Sequence, residues 1–257
     1  MRIAVFGSSV ALETRPARRV YAEGNYADLL RVAAEALDPT SEVVNLARRS
    51  NLIVHETEMK FTGDLQRLNP QVVILHFGIN EAAPRAIPYG PWMWLHGPQD
   101  SGRLKAVTSG ILLRFWAILI RLLGLRGWVK PAEFGRYTRQ LIAHLRKECQ
   151  AEVFVVNMGP PNAKYRRLPP RIESIMPEYN AVLAKVARDT GAVLVDVWSM
   201  VQAEGVEKAQ PDGCHLSAYG HRRVFETIWN ELGARGLIPA GAGTGRPSVG
   251  AGKPGAP

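Results

Sequence analysis

The sequence predicts a single α/β domain built on a parallel sheet with helices on both faces, and three observations carry that reading. Five short apolar or β-branched runs recur along the chain, at residues 2–6, 42–46, 71–77, 152–157 and 192–197. Amphipathic stretches of helical length lie between and after them, at about 25–37, 52–67, 132–149, 174–190 and 217–234. Alternation of this kind calls for crossover connections, which give parallel strands covered on both sides. With 257 residues, 46% of them hydrophobic, the chain is long enough to bury one continuous core.

The first strand, Arg2-Ile3-Ala4-Val5-Phe6, runs straight into Gly7. No separate apolar segment or small-residue cleavage site precedes it, so the expected location is inside the cell. The third strand, with Val72-Val73-Ile74-Leu75, reads as a buried strand. The helices at 174–190 and 217–234 are closed by Gly191 and Gly236. In such sheets functional groups gather beyond the carboxyl ends of the strands. Ser9, residues 45–51, Gly78-Ile79-Asn80 and residues 157–162 all follow strand ends.

Two segments depart from the rhythm, and the domain is therefore drawn as 1–237. Residues 238–257 are rich in Gly, Ala and Pro with little to bury, and read as a disordered tail. Residues 82–130 form a long connection between the third and fourth strands; it carries Trp92, Trp94 and Trp116, with Trp128 at its end. Within it the run from Ile111 to Leu123 is strongly apolar, while Arg103, Gly110, Arg114, Ala117, Arg121 and Gly124 share one narrow helical stripe. A single membrane crossing would place the third and fourth strands on opposite sides of the bilayer, so this helix does not span. It is read as an interfacial helix at 104–124 giving peripheral membrane contact, as a lid over an acyl site, or as a helix packed in the core or in a homodimer.

Lys and Arg outnumber Asp and Glu by 32 to 23, a net charge of +9. The basic residues are scattered and no nucleic-acid motif accompanies them, so nucleic acid is not an expected partner. Cys149 and Cys214 have no metal-ligand spacing, and a disulfide is not expected in a reducing compartment.

Three motifs carry chemistry. In Phe6-Gly7-Ser8-Ser9-Val10 the glycine allows a tight turn off the strand, so that a serine can project at the sheet edge. Taken alone it also fits phosphate binding or plain turn formation, and it lacks the third glycine of a dinucleotide fingerprint. Gly78-Ile79-Asn80-Glu81 places an amide donor where it can face a developing oxyanion, or where it simply forms a turn. In Pro211-Asp212-Gly213-Cys214-His215 a three-residue offset folds a carboxylate back onto the imidazole, or caps the next helix. A serine hydroxyl needs such a base, and the base needs an orienting acid.

Taken in order, Gly7-Ser8-Ser9, Gly78-Ile79-Asn80 and Asp212-Gly213-Cys214-His215 resemble the SGNH (GDSL-type) hydrolase family over about residues 1–81 and 132–235. The resemblance implies a three-layer α/β/α flavodoxin-like sandwich with about five parallel strands, and membership among esterases, lipases, thioesterases, deacetylases and some acyltransferases. It implies Ser9 as nucleophile, His215 as base and Asp212 as its orienting acid, with no metal or cofactor. It also implies an oxyanion hole made by the backbone N–H of Ser9 and the side chain of Asn80.

Two positions depart from the family pattern. Ser8 stands where an aspartate is usual and is a second candidate hydroxyl. No glycine occurs in Asn45-Leu46-Ala47-Arg48-Arg49-Ser50, so Ser50 is the match for the second-block oxyanion donor, provided its φ suits a residue with a Cβ. Arg48 and Arg49 in that loop are candidates for an anionic substrate group. His76, His144 and His221 read as structural, and Asp196 as a turn or cap residue.

The expected activity is serine-dependent hydrolysis of an O-acyl ester of a lipid, carbohydrate or small molecule. Acyl transfer to an alcohol through the same triad and a catalytically inert membrane-associated scaffold are the alternatives.

Overall fold

The computed structural model describes residues 1–12, 24–58, 67–96, 108, 111, 114–115, 118–122, 127–167 and 171–239. Five strands, β1 (Arg2–Gly7), β2 (Glu42–Asn45), β3 (Val72–His76), β4 (Glu152–Val156) and β5 (Val193–Val195), form one sheet in the order β2-β1-β3-β4-β5. All pairings are parallel; Val5 lies beside Asn45 and Ile74, Gly7 beside His76, and Val156 beside Val195. The connections run outward in opposite directions from β1 and β3. Their carboxyl ends therefore open a crevice at the topological switch point, where sites form in open α/β sheets.

The described helices are α1 (Tyr26–Leu37), α2 (Ile53–Glu58), α3 (Ile79–Ala82), α4 (Tyr89–His96), α5 (Pro131–Cys149), α6 (Ile172–Thr190), α7 (Val197–Glu204), α8 (Val206–Ala209) and α9 (Ala218–Ala234). Because successive strand residues point to opposite faces, the sheet supplies two cores. Ala4, Phe6, Val73 and Leu75 pack with α2, α5 and α6 on one side. Ile3, Val5, Val72 and Ile74 pack with α1, α7 and α9 on the other. The five-stranded parallel sandwich matches the expected fold class.

Local sequence explains most boundaries. Asn25 accepts from the N–H groups of Ala27 and Asp28 while the Asp28 carboxylate accepts from the N–H of Asn25, a reciprocal cap that starts α1. Ser217 caps α9 through the N–H of Gly220. Asp196 accepts from the N–H of Ser199 and from Nδ2 of Asn157, so it does serve as a cap and tie.

Differences from the sequence reading have local causes. The helix expected at 52–67 is described as α2 and as helical Arg67 and Leu68; residues 59–66 lie outside the described residues. α6 begins at Ile172, two residues before the expected start, after Arg171 at φ 65. α7 and α8 were not foreseen, because the strand reading ran through Val197, which opens α7 as a buried helical residue. Ile238, the first residue of the expected tail, is instead only 6% exposed and joins the α9 side of the core, while the N–H of Leu237 bonds to the Leu232 carbonyl. Residues 240–257 lie outside the described residues.

The long connection starts and ends in folded structure. Trp128 stacks edge-on against Tyr89 at 5.0 Å, lies 5.9 Å from Trp92, and donates its Nε1–H to the Ile87 carbonyl at 3.0 Å. Between them, the described residues in 108–122 are helical, whereas Arg103, Gly110, Trp116, Ala117 and Gly124 lie outside the described residues. Ile120 is buried, but Ile111, Phe115, Ile118 and Leu122 are exposed, so that face is not core. Among the described residues no helix is long and apolar enough to cross a membrane.

Candidate active site

Gly7 ends β1 so close to β3 that a Cβ there would sit 2.6 Å from the His76 carbonyl oxygen. Only glycine fits this approach, and it sends the chain into the short 3₁₀ turn Ser9–Ala11. Ser8 is buried: its N–H bonds to the His76 carbonyl at 3.2 Å, and its hydroxyl finds no partner among the described residues. Ser9 points the other way. Its Oγ lies 2.9 Å from Nε2 of His215, a contact that joins positions 206 apart.

His215 is held from its own turn. Asp212 Oδ2 meets His215 Nδ1 at 2.8 Å, and Asp212 Oδ1 accepts from the backbone N–H groups of His215 at 2.7 Å and Cys214 at 2.9 Å. Gly213 makes the turn at φ 85, where a Cβ would strike Tyr165. Asn162 ties the turn to the loop after β4, donating to the Pro211 carbonyl at 2.7 Å. Burial alone would raise the Asp212 carboxyl, but its bonds to the His215 ring and to the two N–H groups outweigh that and hold it well below the usual carboxylate range. A charged Asp212 fixes the proton of His215 on Nδ1 and leaves Nε2 to face the Ser9 hydroxyl.

The third motif follows β3, the strand beside β1. Asn80, buried in α3, donates from Nδ2 to the Asn51 carbonyl at 3.1 Å, and its Oδ1 accepts from Arg85 at 3.1 Å. A guanidinium only donates, so this contact fixes which end of the amide is oxygen and leaves one Nδ2 hydrogen beyond the Asn51 bond. Arg85 is held over Trp128 at 4.4 Å and Trp92 at 5.7 Å. The expected match at Ser50 has φ 56, the left-handed region that favours glycine. Among the described residues no acceptor takes the backbone N–H of Ser9 or of Ser50.

Three contributors were not singled out from sequence. Glu81 is fully buried, and its carboxylate bridges two loops by accepting from the N–H of Gly78 at 2.9 Å and of Ile53 at 2.7 Å. The Gly78-x-x-Glu81 spacing, an acidic side chain returning to a helix start, was its signal. Burial pushes the Glu81 carboxyl up to about 7, against the pull of those N–H groups and Arg85. Asn51 reaches the Gly7 carbonyl at 3.4 Å and the buried Glu56. Arg85 had no local signal, since its partners lie at both ends of the long connection.

The remaining candidates are accounted for by position. Arg48 and Arg49 are exposed on the loop that carries Ser50. His76 is buried beside Tyr26, and burial, with His221 and His215 nearby, lowers it to about 3, so it stays neutral. Asp212, Cys214 and His215 bring three atoms able to ligate a metal within 4.8 Å, but these atoms bond to one another.

A hydroxyl, an imidazole and a carboxylate joined by successive contacts are the groups that acyl transfer uses. A sequence model of the GDSL-like Lipase/Acylhydrolase family matches residues 5–223. The chain belongs to this family. Membership places it among ester-hydrolysing enzymes, as the SGNH resemblance implied. A bovine (Bos taurus) protein named isoamyl acetate-hydrolyzing esterase 1 homolog is 38% identical over 61 residues, a match that spans 23% of this chain and about a quarter (24%) of that relative's length. The fold is shared with the lipase/acylhydrolase from Enterococcus faecalis (TM-score 0.60, 15% identity, 93% of this chain and 97% of that one). It is shared also with the acetyl xylan esterase AlAXEase (TM-score 0.59, 17% identity, 90% and 100%) and TesA (0.56, 17%, 90% and 98%).

Proposed function

We propose that the protein is a serine-dependent ester hydrolase working through an acyl-enzyme. His215 Nε2 takes the proton of Ser9 Oγ as that oxygen attacks the acyl carbonyl. The N–H groups of Ser9 and Ser50 and Nδ2 of Asn80 receive the negative charge that develops on the carbonyl oxygen. His215 then gives its proton to the leaving alcohol; water, deprotonated by the same ring, frees the acid and restores Ser9. Asp212 stays charged throughout and holds the ring. The observation that carries this reading is the 2.9 Å contact between Ser9 and His215.

The substrate class is an O-acyl ester of a small molecule, carbohydrate or lipid. The names of the bovine relative and of AlAXEase specify acetyl esters, which favours a short acyl group here. Arg48 and Arg49, exposed on the Ser50 loop, are proposed to meet any anionic group on the alcohol side. Asp212 and His215 are both partly open to solvent, which supports water rather than an alcohol as the acceptor.

Labelling with a fluorophosphonate, followed by a panel of aryl esters from acetyl to palmitoyl, tests the proposal. The expected results are one label per chain, on Ser9 and absent from Ser9→Ala, and release of free acid without an acceptor alcohol, fastest for short acyl groups. A folded chain that refuses the label, or turns over only with an acceptor, refutes it.

A further inference from the structure

We propose that the helical segment within 108–122 docks the protein on an anionic lipid surface. Ile111, Phe115, Ile118 and Leu122 are 57%, 46%, 52% and 77% exposed. Their spacing of four, three and four residues puts them within an arc of about 60° on a helix of 3.6 residues per turn. Ile120, on the opposite side, is 1% exposed, so the helix lies along the protein body with its apolar stripe outward. Arg114 and Arg121, both exposed, follow one edge of the stripe a full two turns apart.

That arrangement fits a bilayer surface: apolar side chains enter the acyl boundary while the arginines reach phosphates at its level. The sign of the partner follows from the charge. Residues 101–130 hold six Lys or Arg and no Asp or Glu. A second copy seated on the same face would bring these cations against one another, since a two-fold interface pairs each patch with itself. An anionic membrane instead attracts each cation near its surface by about fivefold in partitioning. With the sheet topology forbidding a crossing, the segment lies on the membrane rather than through it.

Sedimentation of the full chain with vesicles tests this, and because the readout is binding, it is independent of Ser9 and of any turnover. Vesicles of phosphatidylcholine with about one quarter phosphatidylglycerol are compared with phosphatidylcholine alone at low salt. The wild type is expected to partition at least tenfold better onto the anionic vesicles. Phe115→Glu/Leu122→Glu is expected to lose more than tenfold on the anionic vesicles. Arg114→Gln/Arg121→Gln is expected to lose about 25-fold on them, as two fivefold factors, and to leave any weak binding to phosphatidylcholine unchanged. Both variants should hydrolyse a water-soluble aryl acetate at the wild-type rate. The proposal is overturned by absence of wild-type binding to anionic vesicles, by binding that survives both double variants, or by a dimer in analytical ultracentrifugation that Phe115→Glu/Leu122→Glu dissolves.

Discussion

The relay side of the site, Ser9 with Asp212 and His215, is held by short-range bonds on turns partly open to solvent, whereas the amide side, Ser50, Asn51 and Asn80, is held by a buried network that runs from Gly7 to Arg85. On the relay side the Asp212–His215 geometry follows from a three-residue offset within one turn. On the amide side Asn51 and Asn80 each depend on a partner from another element. In the proposed mechanism, a site built in these two ways would separate proton movement, which needs ring orientation and access to water, from charge stabilisation, which needs donors fixed before the reaction starts.

The comparison breaks most readily at the ring. His215→Ala removes the imidazole that touches the Ser9 hydroxyl, and kcat is expected to fall on the order of 10³-fold or more. Steady-state rates on an aryl acetate measure this; a loss under tenfold would mean that the relay is not how Ser9 is activated.

Arg85→Met sharpens the other half. The substitution keeps an apolar stem against Trp92 and Trp128 but frees Oδ1 of Asn80, so the amide keeps only its bond to the Asn51 carbonyl and loses one of the two contacts that orient it. The effect should be smaller than the ~10²–10³-fold that loss of a whole oxyanion donor costs, at about tenfold. Because Arg85 acts through Asn80 and not on the ground-state ester, the loss belongs in kcat with KM nearly unchanged. An equal rise in KM would make Arg85 a binding residue instead.

These two halves were not equally legible. Ser9, Asp212 and His215 could be read because each sits beside a signal the chain writes locally: a glycine at a strand end, an i to i+3 offset, a serine cap. The parallel sheet was legible for the same reason, as runs such as Val72-Val73-Ile74-Leu75 are too apolar for anything but a covered strand. Arg85 was not, because Trp128 lies 43 positions after it and reaches it only through tertiary packing. Short α7 was lost because one buried valine, Val197, reads equally as the end of a strand. The exposed stripe at Ile111, Phe115, Ile118 and Leu122 was visible as apolar periodicity, but periodicity does not say which side of a helix faces the body.

Glu81 clamps the two loops of the amide side, and its effect is on stability rather than rate. Burial raises its carboxyl to about 7 from an ordinary glutamate value of ~4.3, so the folded chain keeps a proton that the unfolded chain has released. The stability it contributes is therefore complete below about pH 4.3 and is lost as pH rises through about 7. Thermal unfolding of wild type and Glu81→Gln between about pH 5 and 8 isolates this group: the variant should lack the decline, so the gap between the two Tm curves must change across that range. Parallel curves would show that Glu81 is ionised throughout.

The smallest effect is expected at Ser50, where the chain departs from the family's glycine. At φ 56 a residue with a Cβ is held in left-handed geometry at a cost of roughly 1–2 kcal/mol, which glycine does not incur. Glycine gives back about 0.5–1 kcal/mol through the greater freedom of its unfolded chain. Ser50→Gly should therefore gain up to about 1.5 kcal/mol, read as a higher urea midpoint at unchanged slope. It keeps the backbone N–H, so kcat should stay within about twofold. Ser50→Ala retains both the Cβ and the strain and should gain nothing, which separates backbone geometry from any role of the hydroxyl. If Ala and Gly shift the midpoint equally, strain is not what distinguishes this loop, and the amide side would be held by its hydrogen bonds alone.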